Sequence, residues 1–364
     1  MTIDFRFLAN DSVRSLTPYQ PGKPIEEVER ELGIHSSIKL ASNENPLGPS
    51  AAVVQAAQEA AYQAHIYPDG NCYELKQTLA AFLNVQPSQI TVGNGSENIL
   101  ELIVKAYLHT NANTIISEYA FLTISLLIHS YGIPVKVIPS IDWGHDIRGM
   151  IRAIDDKTKV LFLVNPNNPT GTYTNDDDFR LLMESVPPHV LVVVDEAYSE
   201  YITQPDYPHA LDYLNQYPNL VITRTFSKIY GLAALRLGYA ISSPDIADIL
   251  NRARLPFNVN SIASKAACAA LKDHAHIKNS IAVNQIGKKQ LEEGLQAFKL
   301  NYISSIGNFI TIDVNHAADI YQKLLYQGVI VRPLTAYQMP RHIRVTIGTE
   351  AQNTRFLSSL HAVL

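Results

Sequence analysis

The chain has 364 residues, 46% of them apolar and 17% charged, with a formal net charge of -5. That length exceeds what one simple core organises, so two packed domains are expected. The acidic balance argues against nucleic acid as the principal partner, since backbone binding needs a basic face, and no uninterrupted apolar stretch reaches membrane-spanning length. Cys72 and Cys268 lack metal-ligand or redox spacing and read as packing residues of a reducing compartment. The opening MTIDFRFLANDSVRSL carries early acidic residues and no long apolar leader core, so the expected location is the cytoplasm.

Residues 1–50 read as an arm, punctuated by Pro18, Pro21, Gly22, Pro24, Pro46, Gly48 and Pro49, with one amphipathic helix over 26–32. Helices are predicted over 51–64 and 72–83, a strand over 89–92, and a helix over 96–108. Strands at 114–117 and 135–138 flank a helix at 123–129. The continuous apolar runs 160–164 and 190–194 have the character of strands covered on both faces, as in a parallel sheet. Runs at 220–223 and 238–241 continue it, and the alternation predicts an α/β layered domain. Beyond Pro256 the helices lengthen, over 261–270 and 274–298, and an α+β tail follows with strands at 309–313 and 344–347. The expected units are the arm (1–50), a large domain (51–258) and a smaller C-terminal domain (259–364).

Several polar signatures fall at strand ends, where open α/β sheets bind ligands. Gly93-Asn94-Gly95-Ser96-Glu97 joins a strand to a helix, and the N–H groups of Ser96 and Glu97 suit an anion. Asn165–Gly171 (NPNNPTG) is a rigid turn presenting Asn168. Asp195, in DEAY, ends a buried strand and needs a cationic partner there. A protonated pyridine nitrogen would serve, and Tyr198 could donate to a ring oxygen. In Thr225–Arg236 a lysine, Lys228, stands in apolar surroundings beside Ser227 and Arg236. Burial favours an uncharged amine, the species that condenses with carbonyls, and the neighbouring donors suit a phosphate. Pyridoxal 5'-phosphate combines both groups.

These motifs, in this order and spacing, resemble the fold-type I pyridoxal-phosphate aminotransferases. The closer signals are Leu16–Gln20 (LTPYQ), Lys39–Pro46 (KLASNENP), Tyr67–Gly70 (YPDG) and Arg344–Thr349 (RVTIGT). They make the chain most similar to the histidinol-phosphate aminotransferases, over nearly its whole length. The resemblance implies an α/β fold: a large domain with a mostly parallel seven-stranded sheet flanked by helices, plus a smaller α+β domain. It implies that Lys228 holds the cofactor aldehyde and then acts as acid and base, and that Asp195 pairs with the pyridine nitrogen. Asn168 and Tyr198 would contact the ring oxygen, and Phe121 would stack on the ring. Ser227, Arg236 and the N–H groups of Ser96 and Glu97 would hold the cofactor phosphate. Tyr67 would reach the neighbouring subunit's cofactor phosphate, making a homodimer with shared active sites. Tyr19, Asn45, Arg332 and Arg344 would contact the substrate, Arg344 through a carboxylate and Arg332 through a phosphate. No metal is expected. The implied reaction converts histidinol phosphate and 2-oxoglutarate to imidazole-acetol phosphate and glutamate. An aromatic or prephenate aminotransferase on the same scaffold is the alternative, because the segment 333–340 is comparatively apolar.

Overall fold

β-Branched, uncharged runs alternate with amphipathic helices through the first two thirds of the chain, and they build one large sheet. The computed structural model describes residues 3–364. Its strands are β1 (Ile38–Lys39), β2 (Ile90–Gly93), β3 (Asn113–Ser117), β4 (Val135–Ile138), β5 (Thr158–Val164), β6 (Leu191–Asp195) and β7 (Leu220–Thr225). They continue as β8 (Gly238–Ser242), β9 (Tyr302–Ile303), β10 (Phe309–Asp313), β11 (Val329–Ile330), β12 (Arg332–Pro333) and β13 (His342–Thr346). The seven-stranded sheet runs β2-β8-β7-β6-β5-β3-β4. β8 alone runs opposite to the other six strands. Helices on both faces bury β5 and β6, which explains why these strands read as unbroken apolar runs rather than alternating ones.

The sense of the strands sets where the chemistry gathers. The carboxyl ends of β2, β3, β5, β6 and β7 lie along one edge, and they lead into Gly95, Phe121, Asn168, Asp195 and Lys228. Because β8 is antiparallel, its beginning meets that same edge, and Arg236 just before it joins the group.

A second sheet, β12-β13-β10-β9, packs with the helices Ala317–Tyr326, Glu350–Val363 and the long His274–Ala297 around its own core of Leu291, Ile310, Val345 and Phe356. The arm is stitched onto this unit. β1 pairs in parallel with β11, and Leu40 N donates to Ile330 O at 2.7 Å. Helix Ser261–Lys272 departs from the expected division at 258/259. Its Ala263, Ala266, Ala267 and Leu271 lie in the core of the large sheet, against helix Ala51–Ala61. Small alanines permit that close approach, so packing moves the change of core to beyond Lys272.

Some helices lie outside the predicted elements. Asp176–Ser185 is polar on average and declares itself by its caps rather than its apolar stripe. Asn175 accepts from Asp178 N, and three aspartates fill the first turn. Glu350–Val363 begins with a capping box between Thr349 and Gln352. The expected helix over 51–64 ends at Ala61, short of Pro68.

Candidate active site

One cavity at the carboxyl edge of the large sheet is lined by Ser96, Glu97, Phe121, Asn168, Asp195, Tyr198, Ser227, Lys228 and Arg236. These nine expected residues come from six separate segments. Asp195 ends β6 and is 3% exposed. Its Oδ1 accepts from Thr223 Oγ1 at 2.9 Å, across the register pair that joins β6 to β7. Burial pushes this carboxyl up to about 6, and among the described residues it has no cationic hydrogen-bond partner. A protonated ring nitrogen would supply the hydrogen-bonded cation that Asp195 lacks.

Lys228 Nζ donates to the Ser42 carbonyl at 2.9 Å and lies 5.8 Å from the centre of the Tyr198 ring. Burial, then the positive charges of Arg344 and Arg236, lower the amine to about 8, which keeps a reactive neutral fraction near neutrality. Asn168 Oδ1 accepts from Arg344 Nη1. Tyr198 is buried, and its hydroxyl oxygen accepts from Asn43 Nδ2 at 2.9 Å.

The anion cradle is shaped by glycine. Gly95 has φ +87, and a Cβ there would sit 2.7 Å from Arg236 Nη2. A Cβ on Gly238 would come within 2.3 Å of Ser96 N. Side chains at either position would fill the space in front of the helix Ser96–Tyr107, whose first N–H groups are unpaired within the helix. Arg236 Nη1 donates to Ser227 Oγ at 3.3 Å and to Ala233 O at 3.1 Å. Its Nη2 lies 3.4 Å from Glu97 Oε2, a long contact on a half-exposed pair. A phosphate fits between these donors. Aldehyde-reactive amine, phosphate cradle and buried carboxylate together match pyridoxal 5'-phosphate. Among the described residues no group of His, Cys, Asp and Glu converges as a metal site.

The remaining expected residues do not line this cavity, and only Arg344 contacts a residue that does, Asn168. Arg332 and Arg344 are direct register partners on β12 and β13. Both are buried, and their partners are neutral: Gln20 O and the Tyr19 ring for Arg332, Asn168 Oδ1 and Ala41 O for Arg344. Among the described residues, Arg344 Nε has no hydrogen-bond partner. Tyr19 lies 5.0 Å from the Arg332 guanidinium. Tyr67 is 79% exposed and stacks on Phe257, outside the cavity of its own chain. Asn45 turns elsewhere: its amide donates to Ile229 O and Ser280 Oγ and accepts from Leu47 N. It thus ties the arm to the Lys228 loop, with no amide atom directed at the cavity. The nearby Asn43, not among the expected residues, lies beside Tyr198. Its signal in the sequence is an asparagine suited to a left-handed turn, φ +57, within Ser42–Asn45.

Arg224 lies on β7 between Thr223 and Thr225, so alternation turns it to the opposite face from Asp195. It donates from Nε and Nη2 to Glu196 Oε2 at 2.9 and 2.7 Å. Arg224→Leu should lower unfolding free energy by about 3–5 kcal/mol, because it strands a buried carboxylate. Urea denaturation measures it, and a change below about 1 kcal/mol would contradict the assignment of this pair as buried and paired.

The profile of the class I and II aminotransferase family matches residues 36–360. The chain belongs to the class I and II aminotransferases. Histidinol-phosphate aminotransferase 2 of Pseudomonas fluorescens is 50% identical over 367 residues, covering 100% of this chain and 99% of the relative. Histidinol-phosphate aminotransferase 1 of Nitrosococcus oceani is 49% identical over 361 residues, covering 99% and 98%. Among solved structures, the histidinol-phosphate aminotransferase of Sinorhizobium meliloti in complex with pyridoxal-5'-phosphate superposes with a TM-score of 0.88 at 27% identity, covering 98% of this chain and 97% of that one. No helix of this aminotransferase, among the described residues, is long and apolar enough to cross a membrane.

Proposed function

We propose that this aminotransferase exchanges the amino group of glutamate with the oxygen of imidazole-acetol phosphate, giving 2-oxoglutarate and histidinol phosphate, reversibly and with pyridoxal 5'-phosphate. The observation that carries this reading is the Arg332–Arg344 register pair. Two like charges directly opposite each other, buried on neutral partners, are unfavourable until anions arrive. Both substrates bring anions: glutamate two carboxylates, histidinol phosphate a dianionic phosphate. One arginine pair can therefore receive each in turn, as the two half-reactions require. The names of the half-identical relatives support the same substrate.

When bound, the cofactor supplies an aldehyde to hold the amino group and a protonated ring that withdraws electrons from the substrate's α-carbon. Asp195, oriented by Thr223 Oγ1, keeps the proton on the ring nitrogen. Lys228 Nζ would take the substrate's α-proton and return it two bonds away, serving as base and then acid in a 1,3-proton shift. Asn168 and Tyr198 hold the ring oxygen, and Phe121 covers the ring face. Ser227, Arg236 and the N–H groups of Ser96 and Glu97 hold the phosphate. The exposure of Tyr67 supports a role in a second subunit's site, and so a homodimer. The free thiols Cys72 and Cys268 fit the cytoplasm.

A substrate panel with glutamate as donor tests the reading. Arg332→Ala should lower kcat/KM for the phosphorylated substrate about a hundredfold, the worth of a charge-assisted bidentate contact, and for phenylpyruvate less than about threefold. Equal losses would remove Arg332 from the phosphate site. No turnover of histidinol phosphate by the native enzyme would overturn the substrate and leave the cofactor standing.

A further inference from the structure

Asn43 belongs to none of the expected site residues, yet it is 1% exposed and bound on every side. Its backbone N–H donates to Thr346 Oγ1 at 2.9 Å, and its carbonyl accepts from Asn308 Nδ2 at 2.9 Å. Its Oδ1 accepts from Thr346 Oγ1 at 3.4 Å. Because that hydroxyl already accepts from the Asn43 N–H, it has its own proton to give to Oδ1. The amide orientation follows, and Nδ2 is left for Tyr198.

We propose that Asn43 is a positioning residue for the reaction: by donating to the Tyr198 hydroxyl oxygen it turns the Tyr198 proton toward the cofactor's ring oxygen. The inference rests on the pyridoxal-phosphate reading above. The Tyr198 ring itself is immobilised, with Lys228 Nζ over its face and Phe309 edge-on at 5.2 Å. Only the O–H torsion stays free. Among the described residues no acceptor takes that proton, while the lone pair facing Asn43 is occupied. The hydroxyl must therefore direct its proton into the cavity it lines. A hydroxyl that accepts one hydrogen bond also donates the next more strongly. Burial raises the phenol further above its ordinary range, so it acts as a neutral donor throughout the working pH range.

Two variants separate positioning from folding. Asn43→Gly keeps the left-handed backbone at φ +57 while deleting the donor. Asn43→Asp keeps the shape but offers an acceptor, which draws the Tyr198 proton away from the cavity. The readout is the pH midpoint of the bound cofactor's visible absorption in purified holoenzyme without substrate. A proton donated to the ring oxygen stabilises its negative charge and competes with the proton on the Lys228 nitrogen, so weakening the donor raises the midpoint. Asn43→Gly should raise it by about half a pH unit, the worth of a fraction of one hydrogen bond. Asn43→Asp should raise it more, and Tyr198→Phe by about one unit. In a Tyr198→Phe background, Asn43→Gly should add nothing. An unchanged midpoint in Asn43→Gly, or the same shift with and without the Tyr198 hydroxyl, would overturn the inference. Native enzyme that develops no visible band with pyridoxal phosphate would instead overturn the cofactor reading beneath it.

Discussion

Lys228→Ala should abolish transamination, lowering kcat by roughly four orders of magnitude or more, because the same amine anchors the cofactor and moves the proton. The purified variant should lack the visible band that a lysine-linked cofactor gives, and adding glutamate should not restore native turnover. Lys228→Arg tests whether charge alone suffices. A guanidinium stays protonated at any working pH, so it should be as inactive as the alanine variant. Retained turnover in either variant would remove Lys228 from the reaction. The pH dependence of cofactor capture follows from the same group. In the cofactor-free protein the amine is lowered to about 8 by burial and by Arg344 and Arg236. Its neutral fraction therefore rises with pH through about 8, and the rate of cofactor capture should rise with it and level above. Stopped-flow absorbance measures this, and a rate that falls over that interval would contradict the assigned amine.

Asp195→Asn should lower kcat by about a thousandfold, the scale of losing a preorganised charge aimed at the transition state. Asparagine preserves volume and accepts from Thr223 Oγ1, so the fold and the β6–β7 register should survive. What would be lost is the negative charge proposed to hold a proton on the ring nitrogen. Cofactor affinity should fall as well, by about tenfold or more, because a charged partner becomes a neutral one. Spectroscopic titration separates the two losses. A variant with normal kcat at saturating cofactor would mean that Asp195 only helps to bind it.

Much of this site was legible in the chain because it is built from strand ends. A carboxylate after Leu191–Val194, a lysine after a β-run, and a Gly-rich strand-to-helix turn each stand out against apolar neighbours. A parallel sheet brings those ends to one edge by topology, so strand-end positions allowed Asp195, Lys228, Asn168 and Ser96 to converge, and the family resemblance implied that they do. Residues that act through loop conformation were not legible. Asn43 and Asn45 stand two apart in one polar run, and the family resemblance pointed to Asn45, as a substrate contact. The left-handed backbone at Asn43 turns its side chain to Tyr198, while Asn45 clamps Ile229 and Ser280. Nothing in their residue types distinguishes them.

The same limit applies to energetics and to domain boundaries. Arg332 and Arg344 are twelve residues apart, and only the antiparallel register of β12 with β13 places them opposite one another. Helix Ser261–Lys272 carries alanines that suit either neighbour, and the choice of the large-sheet core depends on the facing helix Ala51–Ala61. By itself, then, the sequence determined the chemistry on offer: an amine, a buried acid, an anion cradle and the α/β alternation that carries them. Those are properties of residue type and local period, which a linear chain records. The tertiary structure decided which asparagine meets Tyr198, how two arginines come to face each other across β12 and β13, and where one core ends. Those depend on contacts between segments far apart in the chain, and on backbone angles that no single residue type dictates.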